Sequence, residues 1–153
     1  MSDAKTEIWF YHLERSTLEQ VLPGLLEKTL QKGWRALVRV TPDNVDEIDE
    51  LLWTYRAESF LPHGRADAEH ANRQPVLLTE SGENLNSAQT LFIVDETELG
   101  DTEDFARCFI IFDGRNESSV QHARNRWRTL KDGGKAELQY WKQDEEGRWA
   151  RAA

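Results

Sequence analysis

The chain has 153 residues, of which 39% are hydrophobic and 31% charged, and its formal net charge is −9. A chain of this length can bury a sizeable core as one domain, and the hydrophobic content excludes intrinsic disorder. The excess of acidic residues disfavours direct binding of nucleic acid, because most of the surface would repel phosphate.

The charge is distributed unevenly along the chain. Residues 1–104 carry 21 acidic and 9 basic residues, a balance of −12, whereas residues 105–153 carry 7 acidic and 10 basic residues, a balance of +3. A local basic surface that faces an acidic peptide is therefore compatible with the acidic whole.

The compartment is predicted from cysteine usage and from hydropathy. Cys108 is the only cysteine, so no internal disulfide can form, which suits a reducing compartment. It lies in the apolar run 105–112 and is expected to be buried. The first residues, MSDAKTE, are polar, and no uninterrupted apolar stretch approaches ~18 residues. We therefore expect a cytoplasmic protein without a membrane contact.

The chain is predicted to open with a strand and a helix. Residues 7–13 form an aromatic-rich strand. Ser16 and Glu19 match a capping box, and apolar residues at helical spacing follow. Pro23 is expected to kink this helix or to begin a second piece, and Gly33 to end it.

A second helix is predicted after a strand at residues 35–40. Thr41 and Pro42 suit its N-cap and its first turn. Its apolar face consists of residues at spacings of three and four: Val45, Ile48, Leu51, Leu52 and Tyr55. Trp53 projects more than about 90° from the centre of that face. A large aromatic side chain away from the core is a candidate contact residue.

The loop predicted over residues 56–64 extends this apolar surface beyond Trp53. Its candidate contact residues are Phe60, Leu61, Pro62 and His63. Phe60 and Leu61 could instead pack under the loop as a satellite of the core.

Four more strands and one further helix complete the predicted fold. The strands are expected at residues 76–80, 90–95, 106–112 and 137–142, and a charged tail at 143–153. Strands that alternate with helices predict a three-layer α/β/α fold with a mainly parallel central sheet, in a single domain over residues 1–153.

The most cationic segment, residues 112–131, is predicted to be a helix that Asn116 or Ser118 caps. Between Arg115 and Lys131 there are five basic residues and one acid, Glu117. Its apolar face consists of Val120, Ala123, Trp127 and Leu130.

Arg124, Arg128 and Lys131 lie along one flank of that apolar face. A row of cations beside an apolar floor suits an extended anionic peptide. The alternative is an ordinary surface helix whose arginines are solvated or paired with local acids.

A nucleotide-utilising α/β enzyme with its site at the carboxyl ends of the strands is the main functional alternative. The chain has no Gly-x-x-x-x-Gly-Lys-Ser/Thr loop, no Gly-x-Gly-x-x-Gly after the first strand and no Gly-x-Ser-x-Gly elbow. His63 and His70, with Asp67 and Glu69 between them, could ligate zinc, but their spacing matches no familiar ligand pattern. We expect no catalytic residue, no metal and no cofactor.

Five stretches together resemble the chi subunit family of bacterial DNA polymerase III. They are the early FYHL strand, LLEKTLQKGWRALVRV, LLWTYRAESFLPHG, AQTLFIVDE and FDGRNESSVQHARNRWRTLKDGGKAELQYWKQDEEG. The likeness covers nearly the whole chain, and the Trp-to-Pro-His block and the basic helix are its most specific parts. The resemblance implies a non-enzymatic accessory subunit of the clamp-loader assembly, which joins the psi subunit to the acidic C-terminal tail of single-stranded DNA-binding protein.

The resemblance also implies residues for each contact. The tail-binding helix falls on Arg124, Trp127 and Arg128. One basic position of the family falls on Val120, and Lys131, one turn further along, is the candidate to replace it. The block that faces psi corresponds to Trp53, Phe60, Leu61, Pro62 and His63. A helicase-like protein at the same block is the alternative that the family allows.

Overall fold

Eight strands form one sheet in the computed structural model, which describes residues 5–54, 63–65, 71–80, 83–95, 99, 102 and 104–153. The strands are β1 (Thr6–Leu13), β2 (Ala36–Arg39), β3 (His63–Arg65), β4 (Val76–Thr79), β5 (Thr90–Ile93), β6 (Arg107–Asp113), β7 (Ala136–Gln143) and β8 (Trp149–Arg151). The helices are α1 (Leu18–Gln31), α2 (Val45–Thr54) and α3 (Glu117–Gly133), with a 3₁₀ turn at Ala71–Arg73.

The sheet is mainly parallel, as the sequence predicts. Its spatial order is β3-β4-β2-β5-β6-β1-β7-β8. β1 lies between β6 and β7 and is parallel to both, and only the β7–β8 pair is antiparallel. The carboxyl ends of β1 and β7 therefore lie side by side, with Lys142 opposite His12.

Helices cover both faces of the sheet, which confirms the three-layer prediction. α1 and α2 pack on one face through Leu22, Leu26, Ile48 and Leu52. α3 packs on the other through the buried Ala123. β1 supplies both layers, because successive side chains of a strand point to opposite faces.

The cap of α1 lies one residue later than predicted. Thr17 accepts a hydrogen bond from the backbone of Gln20, and the Gln20 side chain accepts one in return, so Ser16 and Glu19 do not form the capping box. The reason is tertiary. Gln143 donates to the Ser16 hydroxyl at 2.9 Å and accepts from the Ser16 backbone at 3.1 Å.

Two other predictions about the helices need correction. α1 runs through Pro23 as one helix, so Pro23 does not begin a second piece. α2 begins at Val45 rather than at Thr41. The carboxylate of Asp95 accepts from the Thr41 backbone at 2.8 Å and from the Asn44 side chain at 3.1 Å, which holds residues 41–44 in a turn ahead of the helix.

Two segments predicted to be irregular contain strands. His63 opens β3, which pairs with β4, although the sequence predicts a loop there. The predicted charged tail 143–153 folds back as β8 along β7. Asp144 closes that turn by accepting from the backbone of Glu146 and of Arg148, both at 2.9 Å, and Gly147 adopts the positive φ of 83° that the turn requires.

Candidate functional site

α3 is well defined at both ends. Asn116, rather than Ser118, is the N-cap, and its side chain accepts from the Ser119 backbone at 3.1 Å. Gly134 ends the helix with a left-handed φ of 64° and donates to the carbonyl of Leu130. The helix is thereby held in a fixed register against the sheet.

Trp127 anchors α3 to the sheet. Its ring lies edge to face against Phe10, with centroids 5.3 Å apart, and against Tyr140, with centroids 5.7 Å apart. The indole is partly buried. One side of Trp127 thus belongs to the core, while the helix flank beside it faces solvent.

A groove of about 380 Å³ lies between α3 and the β7–β8 hairpin. We call it the α3 groove. Its walls are formed by Arg124, Trp127, Arg128, Tyr140, Lys142, Ala152 and Ala153. It therefore combines three cations with two aromatic rings.

The two arginines of the α3 groove are available to a ligand. Arg124 and Arg128 are exposed, and within the described part of the chain neither lies within 4.0 Å of a carboxylate. Other arginines differ: Arg115 is bonded to Asp113 at 3.2 Å. Local pairing therefore does not account for Arg124 and Arg128.

The remaining predicted residues of α3 lie outside the groove. Val120 is partly buried and Lys131 is exposed, and neither lines the cavity. Arg126 points to another cavity and contacts His122 at 3.2 Å. The helix thus contributes Arg124, Trp127 and Arg128, the set that the resemblance implies.

Sequence reasoning missed the contribution of β7. Tyr140 and Lys142 lie on one face of this strand, two residues apart, and Leu138 also packs on the α3 side. That alternation is a period-two signal that could have placed both residues beside α3. The wall at Ala152 and Ala153 has no comparable signal.

A buried histidine lies behind the groove. His12 is 6% exposed. Its Nδ1 is 2.7 Å from the Tyr140 hydroxyl and its Nε2 is 3.1 Å from the Glu14 carboxylate. The carboxylate of Glu14 also lies 3.8 Å from the Lys142 ammonium. A continuous polar chain therefore joins a buried ring to the groove.

Burial lowers the pKa of His12, Glu14 opposes that effect, and the nearby cations Lys142 and Arg124 lower it further. Burial likewise raises the pKa of Tyr140 above its ordinary value, while Arg124 acts in the opposite direction. At neutral pH His12 is therefore mostly uncharged, and Tyr140 keeps its proton.

Gly114 makes room for His12 at the turn before α3. A Cβ atom there would lie 2.0 Å from Cδ2 of His12 and 2.7 Å from the carbonyl oxygen of Leu13. The Gly114 backbone donates to that same carbonyl at 2.7 Å. The Asp-Gly-Arg stretch that precedes the basic helix thus has a steric reason for its glycine.

The second predicted surface is described only in part. Trp53 is 54% exposed. His63 is buried, its Nε2 is 3.0 Å from Asp49, and its ring centroid is 4.6 Å from that of Trp53. Phe60, Leu61 and Pro62 lie outside the described residues. We call Trp53, His63 and these three predicted residues the Trp53 patch.

A further cavity, of about 270 Å³, lies at the carboxyl ends of β5 and β6, where an enzyme of this fold class would place its site. Asp95 and Asp113 line it, and both carboxylates already accept hydrogen bonds from the protein. Two carboxylates make this cavity unsuited to nucleotide phosphates.

Metal and thiol chemistry find little support. In the described ranges no three His, Cys, Asp or Glu side chains are grouped so that they could hold a metal ion. Of the zinc candidates, Asp67, Glu69 and His70 lie outside those ranges. Cys108 is fully buried, and burial raises the pKa of its thiol to about 12, which disfavours the reactive thiolate.

Comparison with known proteins decides the family. The family model described as "DNA polymerase III chi subunit, HolC" matches residues 5–137. The chain belongs to the DNA polymerase III chi subunit family. This confirms the resemblance read from the sequence and connects the chain to DNA replication.

One curated relative is the "Probable DNA polymerase III subunit chi" of Rickettsia prowazekii (strain Madrid E), which is 27% identical over 90 residues. The matched stretch covers 58% of this chain and 54% of the relative, so the chain spans about half the length of the curated relative it matches.

The chi family match ends inside β7. It includes all of α3, and hence Arg124, Trp127 and Arg128, whereas Tyr140 and Lys142 lie beyond residue 137. The α3 groove therefore has one wall within the matched range and one wall outside it.

No stretch of membrane-spanning length and apolarity occurs in the helices of the described residues.

Proposed function

We propose that this chi family member is a non-catalytic accessory subunit of DNA polymerase III, and that its α3 groove binds the acidic C-terminal tail of single-stranded DNA-binding protein. The observation that carries the proposal is the pair Arg124 and Arg128, exposed beside Trp127 and more than 4.0 Å from any carboxylate of the described residues. The family match supports the link to the replicase.

The chemistry of the groove suits such a tail. Arg124 and Arg128 can each offer a planar fork of N–H donors to a carboxylate. Trp127 and Tyr140 offer an aromatic floor to an apolar side chain of the peptide. An extended segment that carries acids and one apolar group satisfies both requirements.

The expected affinity is modest. Charge-assisted hydrogen bonds of ~1.5–3 kcal/mol each and one buried aromatic side chain worth ~2 kcal/mol give roughly micromolar binding after the ordering costs. An exchangeable contact of this strength fits a mobile tether between two assemblies.

Selectivity follows from the charge of the rest of the chain. The formal net charge is −9, so an acidic ligand is repelled by most of the surface and attracted only where cations cluster. The same charge disfavours phosphate backbones, and we expect no direct binding of single-stranded DNA.

The Trp53 patch is the proposed contact with the rest of the clamp loader, through a psi subunit or through a helicase-like protein at the same surface. The exposed indole of Trp53 supports an apolar contact there. The chain would then bridge its two partners through separate surfaces.

The test is calorimetric titration of the whole chain with single-stranded DNA-binding protein, intact and without its last residues. Intact protein should bind and the truncated one should not. Arg128→Ala should lower the affinity by about tenfold, because it removes one charge-assisted contact.

Arg126→Ala is the matched control, because it removes the same charge from the same helix but from a residue that does not line the groove. It should change the affinity by less than about threefold. Equal losses for both variants, or full binding of the truncated protein, would contradict the proposal.

A further inference from the structure

The Tyr140 hydroxyl joins the α3 groove to the buried His12. The groove is taken here as the peptide site proposed above, and the inference concerns how its hydrogen bonding is set. Tyr140 lines the groove, its hydroxyl contacts His12 Nδ1 at 2.7 Å, and the opposite ring nitrogen contacts Glu14 at 3.1 Å.

The Glu14 contact fixes the tautomer of neutral His12. An ionised carboxylate can only accept, so Nε2 must carry the hydrogen that it accepts. A neutral imidazole has one N–H, which leaves Nδ1 with a lone pair. Tyr140 must therefore donate its hydroxyl hydrogen to His12, and only the lone pairs of the phenolic oxygen remain for the groove.

Protonation of His12 reverses the hydrogen bond to Tyr140. Both ring nitrogens then carry hydrogen, so Nδ1 donates to the phenolic oxygen. The hydroxyl hydrogen of Tyr140 is released and can point into the groove. The groove gains a donor for a carboxylate, and no heavy atom needs to move far.

We propose that Tyr140 is a ligand-contacting residue whose role His12 sets: when an acidic peptide occupies the α3 groove, a proton is taken up on His12 and Tyr140 donates its hydroxyl hydrogen to a peptide carboxylate. His12 and Glu14 act through Tyr140 and are positioning residues.

Several charged or titratable groups face His12 from the elements packed against it. Glu14 follows β1, Lys142 and Tyr140 lie on β7, and Arg124 lies on α3; Asp113, at the end of β6, is also close enough to interact with His12. Lys142 and Arg124 oppose a charge on the ring, and both line the groove. The cations that keep His12 neutral are therefore the cations that a ligand would neutralise.

The sign of the linkage follows. Peptide carboxylates offset the charges of Arg124 and Lys142, so the pKa of His12 rises on binding. His12 is already buried, so the ligand adds little further desolvation. A group with a higher pKa in the complex binds a proton on association, and affinity therefore increases as the pH falls through the window between the two pKa values. Since the pKa of free His12 lies below its ordinary 6.5, that window is mildly acidic.

The experiment compares peptide affinity at about pH 6 and about pH 7.5 by calorimetry, in buffers of different ionisation enthalpy that report proton uptake. Wild type should bind about threefold or more tightly at the lower pH and should take up a fraction of a proton. His12→Gln mimics the neutral ring, since its amide can accept from Tyr140 and donate to Glu14. It should bind like wild type at the higher pH and show no gain at the lower.

Two further variants separate the parts of the proposal. Tyr140→Phe keeps the ring but lacks the hydroxyl, and it should lose most of the gain. His122→Gln is the matched control, because His122 is exposed on α3 and does not line the groove. It should keep the full gain, and circular dichroism should show equal folding of all variants.

The outcomes are distinct. Wild type that binds the peptide equally at both pH values, or His12→Gln that keeps the gain, overturns the inference while the proposed function stands. Tyr140→Phe with a full gain overturns the role of its hydroxyl. Wild type that binds no peptide at either pH overturns the proposed function, and this inference with it.

Discussion

The α3 groove and the Trp53 patch differ in what they leave exposed. In the groove the exposed groups are charges, because Arg124 and Arg128 have no carboxylate within 4.0 Å among the described residues. In the patch the polar group, His63, is buried and bonded to Asp49, and the exposed group is the indole of Trp53. The first surface is suited to an anionic ligand and the second to an apolar one.

This difference teaches how one small chain can hold two partners without confusing them. Electrostatic attraction to the groove acts at a distance and weakens with salt, whereas an apolar contact depends on burial and is nearly independent of salt. The two surfaces share none of their described residues. A change at one should therefore leave the other intact.

The largest effect on this comparison is expected from Trp53→Ala. A central exposed tryptophan is a typical interaction hot spot, so the variant should lose about tenfold or more of its affinity for a purified psi subunit. Its affinity for the acidic tail peptide should stay within about twofold. Biolayer interferometry with both ligands measures this, and Arg128→Ala should give the reciprocal result. A parallel loss of both activities would indicate misfolding and would break the comparison.

A smaller effect is expected from ionic strength. Raising NaCl from about 50 mM to about 300 mM should weaken tail binding severalfold, because the groove arginines are exposed and are screened within ~10 Å at 0.1 M salt. Binding at the Trp53 patch should change by less than about twofold. A tail affinity that does not depend on salt would mean that the aromatic floor, and not Arg124 and Arg128, supplies the binding energy.

The features that could be predicted from the sequence are the local ones. The cap at Asn116, the inward face with Ala123 and Trp127, and the flank with Arg124 and Arg128 all follow from the 3.6-residue period of one helix. The parallel sheet follows from the alternation of strands and helices.

The features that sequence reasoning missed depend on contacts distant in the chain. Gln143 takes the hydroxyl of Ser16 and thereby moves the cap of α1 to Thr17, across more than a hundred residues. The pairing of β8 with β7 turns a charged tail into a wall of the groove. His12 reaches the groove only through Tyr140, on a neighbouring strand. Periodicity within one element carries no information about such pairings.

The smallest effect is expected at Lys131, which the sequence suggests as a replacement for the missing base at Val120. Lys131 lies one turn beyond Arg128 and does not line the groove, whereas Lys142, from β7, does. Lys131→Ala should therefore change tail affinity by less than about twofold, the size of a screened surface charge, and Lys142→Ala should change it more. Calorimetry at about 50 mM NaCl, where screening is weakest, gives Lys131 its best chance. A larger loss for Lys131→Ala than for Lys142→Ala would mean that the peptide runs along α3 toward its carboxyl end instead of lying between α3 and the hairpin.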